Sequence, residues 1–329
     1  MTGKIVTVFG GSGFLGRQVV RALCRQGWRV RVAMRRPHLG GDARLAGDVG
    51  QVQLVQANVR NRNSIKRALE NADAVVNLVA VLYERGSQTF NGTIALGARN
   101  IAQLAAEAGI KKLVYVSAIG ASADSRSGYA RAKAQAEVST LESVPTATIL
   151  RPSIMFGPED GFFTRFARMS RLTPILPLIG GSTKFQPVHV GDVADAVAAA
   201  LAKPEAAGQT YELGGPRTYT MKELLQYITR TIDRPRVLLP IPMLFAAPLG
   251  YTIGALSKLN PFFGPPLTGD QVQMLKDDNI VSPGARTIED LGVTTLETVE
   301  TIVPTYLWRH RPYGQFHAIR SDESSRADA

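Results

Sequence analysis

Four glycines close to the start of the chain constrain its fold more than any other feature. The residues before them, Ile5 to Phe9, are apolar or β-branched and indicate a buried strand. An amphipathic helical pattern begins inside the glycine run, and this order directs backbone N–H groups at an anion and lets a pyrophosphate approach the backbone. The predicted dinucleotide contacts in this turn are Gly10, Ser12, Gly13, Phe14, Leu15 and Gly16. The alternative is a tight strand-to-helix turn that binds no ligand.

Two arginines at the end of the second predicted strand indicate which dinucleotide binds. Arg29 to Met34 alternates polar and apolar residues, and Arg35 and Arg36 follow it. A site for NAD usually has Asp or Glu here for the ribose 2′-OH, whereas a site for NADP has arginine for the 2′-phosphate. No acidic residue precedes Asp42. The pair therefore predicts NADP(H), with a solvated basic edge as the alternative.

Apolar runs and helical patterns alternate through the first half of the chain. Strands are predicted over residues 52–57, 74–80 and 112–117, and a sixth ends at Arg151-Pro152. Such alternation predicts an α/β fold with a doubly wound parallel sheet of the Rossmann type. The predicted domains are a dinucleotide-binding domain at 1–150, a smaller C-terminal α/β docking domain at 151–320, interleaved with the last strands of the sheet, and a disordered tail at 321–329.

Four residues at the ends of the third and fourth strands extend the predicted site. Asn58 and Val59 follow the third strand, where the adenine would lie, and Val79 and Ala80 end the fourth, beneath the dinucleotide. Asn58 can alternatively be a loop residue whose side chain satisfies its own turn.

A tyrosine and a lysine four residues apart are the candidate catalytic pair. On a helix, Tyr129 and Lys133 share one face. An ammonium group beside a phenol favours the phenolate, so the tyrosine can exchange a proton with a carbonyl or hydroxyl group. Ser117, at the end of the fifth strand, is the third candidate catalytic residue.

These motifs together resemble the short-chain dehydrogenase/reductase superfamily. The matching segments are Gly10 to Gly16, Asn77 to Ala80, Tyr129 to Lys133, Arg151 to Gly157, Val188 to Ala194 and Tyr211 to Pro216. The last three are typical of its extended and atypical branches, and the resemblance covers residues 1–230. It implies that Lys133 binds the nicotinamide ribose, that Ser117 lies near the cofactor and that Pro152 packs against the nicotinamide end.

Ile119 departs from the superfamily pattern. Extended reductases and epimerases have a catalytic serine or threonine at this position. A missing hydrogen-bond donor of this kind costs roughly 3 kcal/mol of transition-state stabilisation. Two interpretations remain open: Lys133 binds ribose while Tyr129 lines the pocket, or Ser117, Tyr129 and Lys133 catalyse a reaction together.

Within that superfamily, the chain is most similar to the family of nucleotide-binding accessory subunits of respiratory complex I. The specific features are the glycine run followed by Arg35-Arg36, the segment Val116 to Ala121 and the segment Leu267 to Asn279. This resemblance implies tightly held NADPH, core subunits of complex I as partners, and little or no turnover. It also implies a structural role at the junction of the hydrophilic and membrane arms.

Two features indicate whether the chain contacts a membrane or nucleic acid: an uncharged run at residues 237–257 and a net charge of +11. Pro240, Pro242 and Pro248 argue against a straight transmembrane helix in this run. The alternatives are a segment packed on the smaller domain or an apolar surface that faces lipid or a partner. The positive charge suits peripheral contact with an anionic membrane, and the absence of a basic patch interleaved with aromatic residues argues against nucleic acid.

The start of the chain and its histidines complete the sequence-based expectations. The first predicted strand begins so close to Met1 that we expect no cleavable targeting segment. This favours a bacterial protein on the cytoplasmic face of the inner membrane. The four histidines lack the spacing of metal ligands, so no metal is predicted.

Three functional hypotheses follow from the sequence. The first is an accessory subunit of complex I that holds NADP(H) and has little turnover. The second is an NADP-dependent reductase or epimerase acting on a sugar nucleotide, a quinone precursor or a lipid-like substrate, which needs a working Tyr129. The third is a redox-sensing module whose affinity for a partner depends on NADP(H) occupancy.

Overall fold

The structure is a computed structural model, and it describes residues 3–243 and 268–316. The described residues form two compact units, each discontinuous in sequence. Unit 1 contains residues 3–153, 190–214 and 281–296, and unit 2 contains residues 154–189, 215–243, 268–280 and 297–316. The predicted tail at 321–329 lies outside the described residues, and the predicted functional division at residue 150 stays a prediction.

Strands and helices alternate along unit 1, as the sequence pattern predicts. The elements of both units are numbered in chain order. The strands are β1 Ile5–Phe9, β2 Arg29–Met34, β3 Val52–Gln56, β4 Ala74–Asn77, β5 Lys112–Val116, β6 Thr148–Pro152, β7 Met155–Phe156, β8 Ile175–Ile179, β9 Lys184–Phe185, β10 Val188–His189, β11 Thr210–Leu213, β12 Tyr219–Thr220 and β13 Val237–Ile241. The α-helices are α1 Phe14–Arg25, α2 Arg62–Leu69, α3 Leu96–Glu107, α4 Gly128–Ser143, α5 Phe163–Leu172, α6 Val190–Ala202, α7 Met221–Thr231, α8 Gly269–Met274, α9 Val299–Ile302 and α10 Pro304–Leu307.

A seven-stranded parallel sheet forms the centre of unit 1. Its strand order is β11-β6-β5-β4-β1-β2-β3, and every neighbouring pair is parallel. The chain leaves β1 towards β2 and β3, and the next strand, β4, lies on the other side of β1. This reversal opens a crevice at the carboxyl ends of the central strands, where open α/β sheets bind their ligands. The predicted fold class, a doubly wound parallel sheet, is confirmed.

Burial of apolar side chains explains why the central elements form. All residues of β4 are buried, as expected for a central strand covered on both faces. On α1, one stripe comprising Leu15, Val19, Val20 and Leu23 is buried. The helix α6 packs against α1. These layers fix the glycine turn at the end of β1, because both its flanking elements belong to the core.

Unit 2 combines short strands and helices around its own core. The strands pair as β7 with β10 and β8 with β13, both parallel, and as β9 with β12, antiparallel. The core includes Phe156, Phe163, Leu224, Ile228 and Val303. At the start of α7, Thr220 and Glu223 form a reciprocal capping box, which satisfies two backbone N–H groups that the helix leaves unpaired.

The uncharged run at 237–257 begins as a strand. β13 covers its first residues and pairs along its full length with β8. The segment around β8 contains Pro174 and Pro177, and it forms a strand because its partner comes from a remote part of the chain. Residues 244–257 lie outside the described residues. Where the structure does describe the chain, every helix is too short or too polar to cross a bilayer.

Candidate dinucleotide-binding site

A cavity of about 270 Å³ lies at the carboxyl ends of the central strands of unit 1. It coincides with the reversal of strand order between β1 and β4. Eight residues predicted to contact a dinucleotide line it: Gly10, Ser12, Gly13, Arg35, Asn58, Val59, Val79 and Ala80. Small-molecule pockets span roughly 300–1,000 Å³, so this cavity has room for only part of a dinucleotide. The eight predicted residues on it come from the glycine turn and the ends of β2, β3 and β4.

Close backbone contacts shape the glycine turn. Gly10 has a φ of +82°, which side-chain-bearing residues rarely adopt. A Cβ atom on Gly16 would lie 2.2 Å from the Gly10 carbonyl oxygen, so only glycine lets α1 approach the turn this closely. The N-cap of α1 is Gly13, which provides no side-chain cap, and the first turn contains no acidic residue. The N–H groups and the positive end of the helix dipole therefore favour an anion at this position.

Seven of the predicted cofactor contacts and Tyr129 are not among the residues that line the cavity. Phe14, Leu15 and Gly16 form the first turn of α1, where they supply backbone and packing. Arg36 follows Arg35 on the exposed edge, but only Arg35 lines the cavity. Ser117, Lys133, Pro152 and Tyr129 belong to the β5, β6 and α4 region. The structure thus separates the predicted site into a cavity end and a region around α4.

The charge of the cavity agrees with the predicted choice of dinucleotide. Its lining includes Arg35 and Arg60, and none of the described residues on it is acidic. Because an NAD site usually has a carboxylate that binds the ribose 2′-OH, the preference for a 2′-phosphate stays the prediction for this lining. Asn58 satisfies both of its interpretations, since it lines the cavity while its Oδ1 accepts a hydrogen bond from the Arg60 N–H at 3.1 Å.

Three polar residues on the cavity, Arg60, Gln88 and Thr93, are not among the predicted contacts. Arg60 donates from Nη1 to the Ser87 carbonyl oxygen at 2.6 Å. Gln88 and Thr93 come later in the chain and also line the cavity. Thr93 lies in one π-helical turn, Asn91–Ala95, just before α3. Such turns interrupt α-helices at functional sites more often than elsewhere. No sequence motif marks this turn, although a threonine among apolar helix residues was a usable signal.

Three buried hydroxyl groups lack a hydrogen-bond partner among the described residues, and one of them, Tyr115 Oη, belongs to β5 and is not a predicted contact. The other two are on the cavity or at a predicted contact. They are Thr93 Oγ1, on the cavity, and Ser117 Oγ, at the end of β5. A buried hydroxyl without a hydrogen bond costs about 1–3 kcal/mol, so each favours a ligand that supplies a polar group. The cradle at the glycine turn, the arginine and these hydroxyls fit a phosphorylated dinucleotide. When bound, such a nicotinamide cofactor supplies hydride-transfer chemistry.

The structure brings Tyr129 and Lys133 together on α4, as predicted. The Lys133 Nζ lies 5.9 Å from the centre of the Tyr129 ring and 5.1 Å from that of Tyr115. It donates a hydrogen bond to the Val116 carbonyl oxygen at 2.8 Å. The Tyr129 ring also makes an edge contact with Phe90, with 5.9 Å between ring centres.

Burial changes the expected chemistry of Lys133. The side chain is 1% exposed, and burial lowers its pKa to about 7, although Glu137 opposes this shift. Glu137 itself makes a two-pronged ion pair with Arg151, at 2.6 and 3.0 Å. Lys133 is therefore neutral in a large fraction of molecules at neutral pH. A neutral amine can bind ribose hydroxyls, but it stabilises a tyrosine phenolate poorly.

The position expected for a catalytic hydroxyl holds a buried apolar side chain. Ile119 is 4% exposed, and its N–H donates to the Pro152 carbonyl oxygen at 3.0 Å. The nearby Ser122 is exposed on a loop, where its Oγ accepts from the Asp124 N–H. The interpretation in which Lys133 binds ribose fits this arrangement better than catalysis by Ser117, Tyr129 and Lys133, and both stay predictions.

The parallel sheet, the glycine turn and the tyrosine–lysine pair define the class of extended short-chain dehydrogenases. The sequence matches the NAD dependent epimerase/dehydratase family over residues 6–214, and the chain belongs to that family. This family assignment supports the coarser prediction of a nicotinamide cofactor.

Curated relatives extend the similarity over most of the chain. The "NADH dehydrogenase [ubiquinone] 1 alpha subcomplex subunit 9, mitochondrial" of Arabidopsis thaliana is 38% identical over 89% of this chain and 75% of its own length. The protein of the same name from Rattus norvegicus is 35% identical over 95% of this chain and 82% of its own. The predicted resemblance to the complex I accessory-subunit family is therefore confirmed.

The fold is also found in solved structures. The NADPH-dependent quinone oxidoreductase QOR2 of Escherichia coli, solved with NADPH, has a TM-score of 0.72 and covers 92% of this chain and 99% of its own. Because the two sequences are 19% identical, this similarity concerns the fold alone.

Proposed function

We propose that this chain is an NADP(H)-binding accessory subunit of respiratory complex I. The observation that carries the proposal is the similarity to two proteins named as subunit 9 of its alpha subcomplex, which extends over 89% and 95% of this chain. Core subunits of the complex are the proposed partners, at the junction of its hydrophilic and membrane arms. The chain would lie peripherally on the membrane face from which the hydrophilic arm projects.

The proposed role of the nucleotide is structural. Gly10, Gly13 and the start of α1 would hold the pyrophosphate, and Arg35 would pair with the 2′-phosphate of NADPH. Lys133 would bind the nicotinamide ribose from the interior of α4. Ile119 in place of a hydroxyl and the depressed pKa of Lys133 both argue against turnover. A bound nucleotide would then stabilise the sheet that the rest of the chain is built on.

Purification through a tag on this chain tests the proposal. The cells are extracted with a mild detergent, the copurifying chains are identified by mass spectrometry, and the nucleotide released on denaturation is measured. We expect complex I core subunits and close to one NADPH per chain. A chain that is recovered alone, while complex I is intact in the same extract, would contradict the accessory role.

A matched variant separates nucleotide binding from assembly. Arg35→Gln lowers the occupancy by NADPH, and Arg67→Gln removes the same charge from an exposed position on α2. If the nucleotide stabilises the docking-competent fold, only Arg35→Gln should reduce copurification. Equal copurification of both variants, with NADPH lost from one, would show that the nucleotide does not support assembly.

A further inference from the structure

Three segments of unit 2 concentrate arginine with almost no acid. Residues 163–175 contain three arginines, residues 230–239 contain three and residues 304–316 contain two. Asp233 is the one acidic residue in these segments. Their charge is therefore strongly positive, beyond what the net charge of the chain alone requires.

Hydrogen bonds join these segments into one surface. The Arg236 Nε donates to the Ser170 carbonyl oxygen at 2.7 Å, and the Arg234 Nε donates to the His310 carbonyl oxygen at 3.0 Å. The Arg311 Nε donates to the Thr231 carbonyl oxygen at 3.0 Å. We call the surface formed by Arg168, Arg171, Arg234 and Arg309 around His310 the arginine face.

The guanidinium groups of the arginine face are available to an acceptor. Arg234 and Arg309 use Nε to bind backbone carbonyl oxygens, which fixes the side chain and leaves the terminal nitrogens for another partner. Arg168 and Arg171 are exposed on α5 and make no hydrogen bond or ion pair with the described residues. Guanidinium forks bind phosphate oxygens in pairs, so this cluster suits phosphate better than a single carboxylate.

A buried histidine lies beneath the cluster. His310 is 4% exposed, and neither ring nitrogen has a hydrogen-bond partner among the described residues. Burial, followed by the charges of Arg171, Arg309, Arg168 and Arg234, lowers its pKa to about 4. Burial and the surrounding positive charge thus act together to keep the imidazole neutral, and a bound anion would offset the positive charge.

Large apolar side chains are exposed in the same segments. Leu172 at the end of α5 is 84% exposed, and Trp308 in the turn Trp308–His310 is 37% exposed. Tyr313 and Phe316 follow at 50% and 57%. Arginine beside exposed tryptophan, tyrosine and leucine is the composition of segments that lie in the headgroup layer of a membrane. An acidic protein surface would match the charge but would leave these side chains unexplained.

We propose that the arginine face binds the phosphate groups of anionic phospholipids at a membrane surface, with Leu172 and Trp308 entering the headgroup layer. This inference deepens the proposed function, since it names the lipid class and the residues that would hold the chain beside the membrane arm. It concerns the purified chain and vesicles, so it can fail while association with complex I stands.

Cosedimentation with vesicles tests the proposal. The full chain is mixed with vesicles of phosphatidylcholine, or of equal parts phosphatidylcholine and phosphatidylglycerol. We expect binding to the anionic vesicles only. The double variant Arg168→Gln with Arg171→Gln should bind roughly 30-fold more weakly, because each basic side chain near an anionic surface contributes about fivefold. The matched control, Arg67→Gln with Arg99→Gln, changes exposed arginines of unit 1.

Tryptophan fluorescence gives a second measurement on the unaltered chain. The chain has two tryptophans, and Trp28 is 8% exposed in the core of unit 1, so a spectral shift on binding reports Trp308. We expect a blue shift with anionic vesicles, and its loss in Trp308→Phe. Equal weakening by both double variants would mean attraction by net charge alone and would overturn the proposal. Binding without any shift, or no binding to either vesicle, would overturn it too.

Discussion

Unit 1 and unit 2 each present positive charge to an anion, but they use different parts of the chain. In unit 1, the glycine turn and the start of α1 offer backbone N–H groups inside a cavity of about 270 Å³. In unit 2, the arginine face offers long side chains on an exposed surface. Fixed backbone donors select one phosphate in one position, whereas several exposed guanidinium groups on long side chains can bind phosphates in more than one arrangement. The cavity is therefore specific and sensitive to small changes, and the arginine face is tolerant and additive.

The buried basic groups of the two units differ in their hydrogen bonds and in the charges around them. Lys133 donates to the Val116 carbonyl oxygen, whereas neither ring nitrogen of His310 has a hydrogen-bond partner among the described residues. Burial lowers the pKa of both groups, from 10.5 to about 7 for Lys133 and from 6.5 to about 4 for His310. Glu137 opposes the shift at Lys133, whereas four arginines add to the shift at His310. The charges around His310 are therefore of one sign, which is the reason to look for an anion at the arginine face.

Gly16→Ala should have the largest effect and tests whether the cavity is as intolerant as the comparison requires. The added Cβ would lie 2.2 Å from the Gly10 oxygen and 2.6 Å from the Gly11 carbonyl carbon, so α1 must move away from the turn. We expect loss of bound nucleotide and roughly 3 kcal/mol less stability, measured by nucleotide release and by urea unfolding. Gly41→Ala is the matched control, because a Cβ there meets nothing within 4 Å. Similar losses in both variants would contradict the close approach.

Arg35→Gln should have the second largest effect and sharpens the contrast between one specific arginine and an additive cluster. Charged hydrogen bonds are worth about 1.5–3 kcal/mol, so the affinity for NADPH should fall roughly 100-fold at the upper limit. The affinity for NADH should change little, since it lacks the 2′-phosphate. Calorimetric titration of the apo chain measures both.

The neighbouring arginine is the control for that prediction. Arg36 is exposed and is not among the residues that line the cavity. Arg36→Gln should therefore change the affinity for NADPH by less than about threefold. If both substitutions lower the affinities for NADPH and NADH equally, the arginines act through their net charge. The cavity would then not contain one specific arginine, and the contrast with the arginine face would be wrong.

The stability of the chain should fall in mild acid because of His310. This prediction tests whether positive charge surrounds a buried histidine in unit 2. Its pKa is lowered in the folded state, from 6.5 to about 4, so the unfolded chain takes up the proton first. This contribution is absent above pH 6.5 and destabilises as the pH falls towards 4. At pH 5, the expected loss is about 2 kcal/mol relative to pH 8, and it should disappear in His310→Phe. His38→Phe, at an exposed histidine, should follow the wild-type profile.

Local patterns explain how much of unit 1 could be predicted. The strand before Gly10, the glycine turn and the stripe on α1 are encoded within 25 residues, and the backbone itself imposes the glycines. Thr93 was missed because it reaches the cavity from a π-helical turn with no motif of its own, and Gln88 because it belongs to the irregular segment before that turn. The burial of Lys133 also depends on packing between α4 and the sheet, which residue spacing does not reveal.

Unit 2 could be predicted less well, because its contacts join remote segments. The strand β8 pairs with β13, which follows more than fifty residues later, so no local pattern predicts this pairing. The arginine face likewise combines Arg168, Arg234 and Arg309, and each of these stands in a separate segment of unremarkable sequence. Charge counted along the chain gave the sign of the surface but not its position.

Tyr129→Phe should have the smallest effect, and it decides whether the α4 region belongs to a binding site or to an active site. The ring packs against Phe90 and lies near Lys133, so phenylalanine preserves these contacts and removes only the hydroxyl. We expect NADPH affinity and copurification with complex I to change less than about twofold, which is below the roughly 0.5 kcal/mol of a weak hydrogen bond, because Tyr129 is not among the residues that line the cavity. Lys133→Met is the comparison variant and should weaken nucleotide binding more, because Lys133 would touch the ribose. A physiological reductase or epimerase output that disappears in Tyr129→Phe would instead support the enzymatic alternative, and it would require a hydroxyl other than the one that Ile119 replaces.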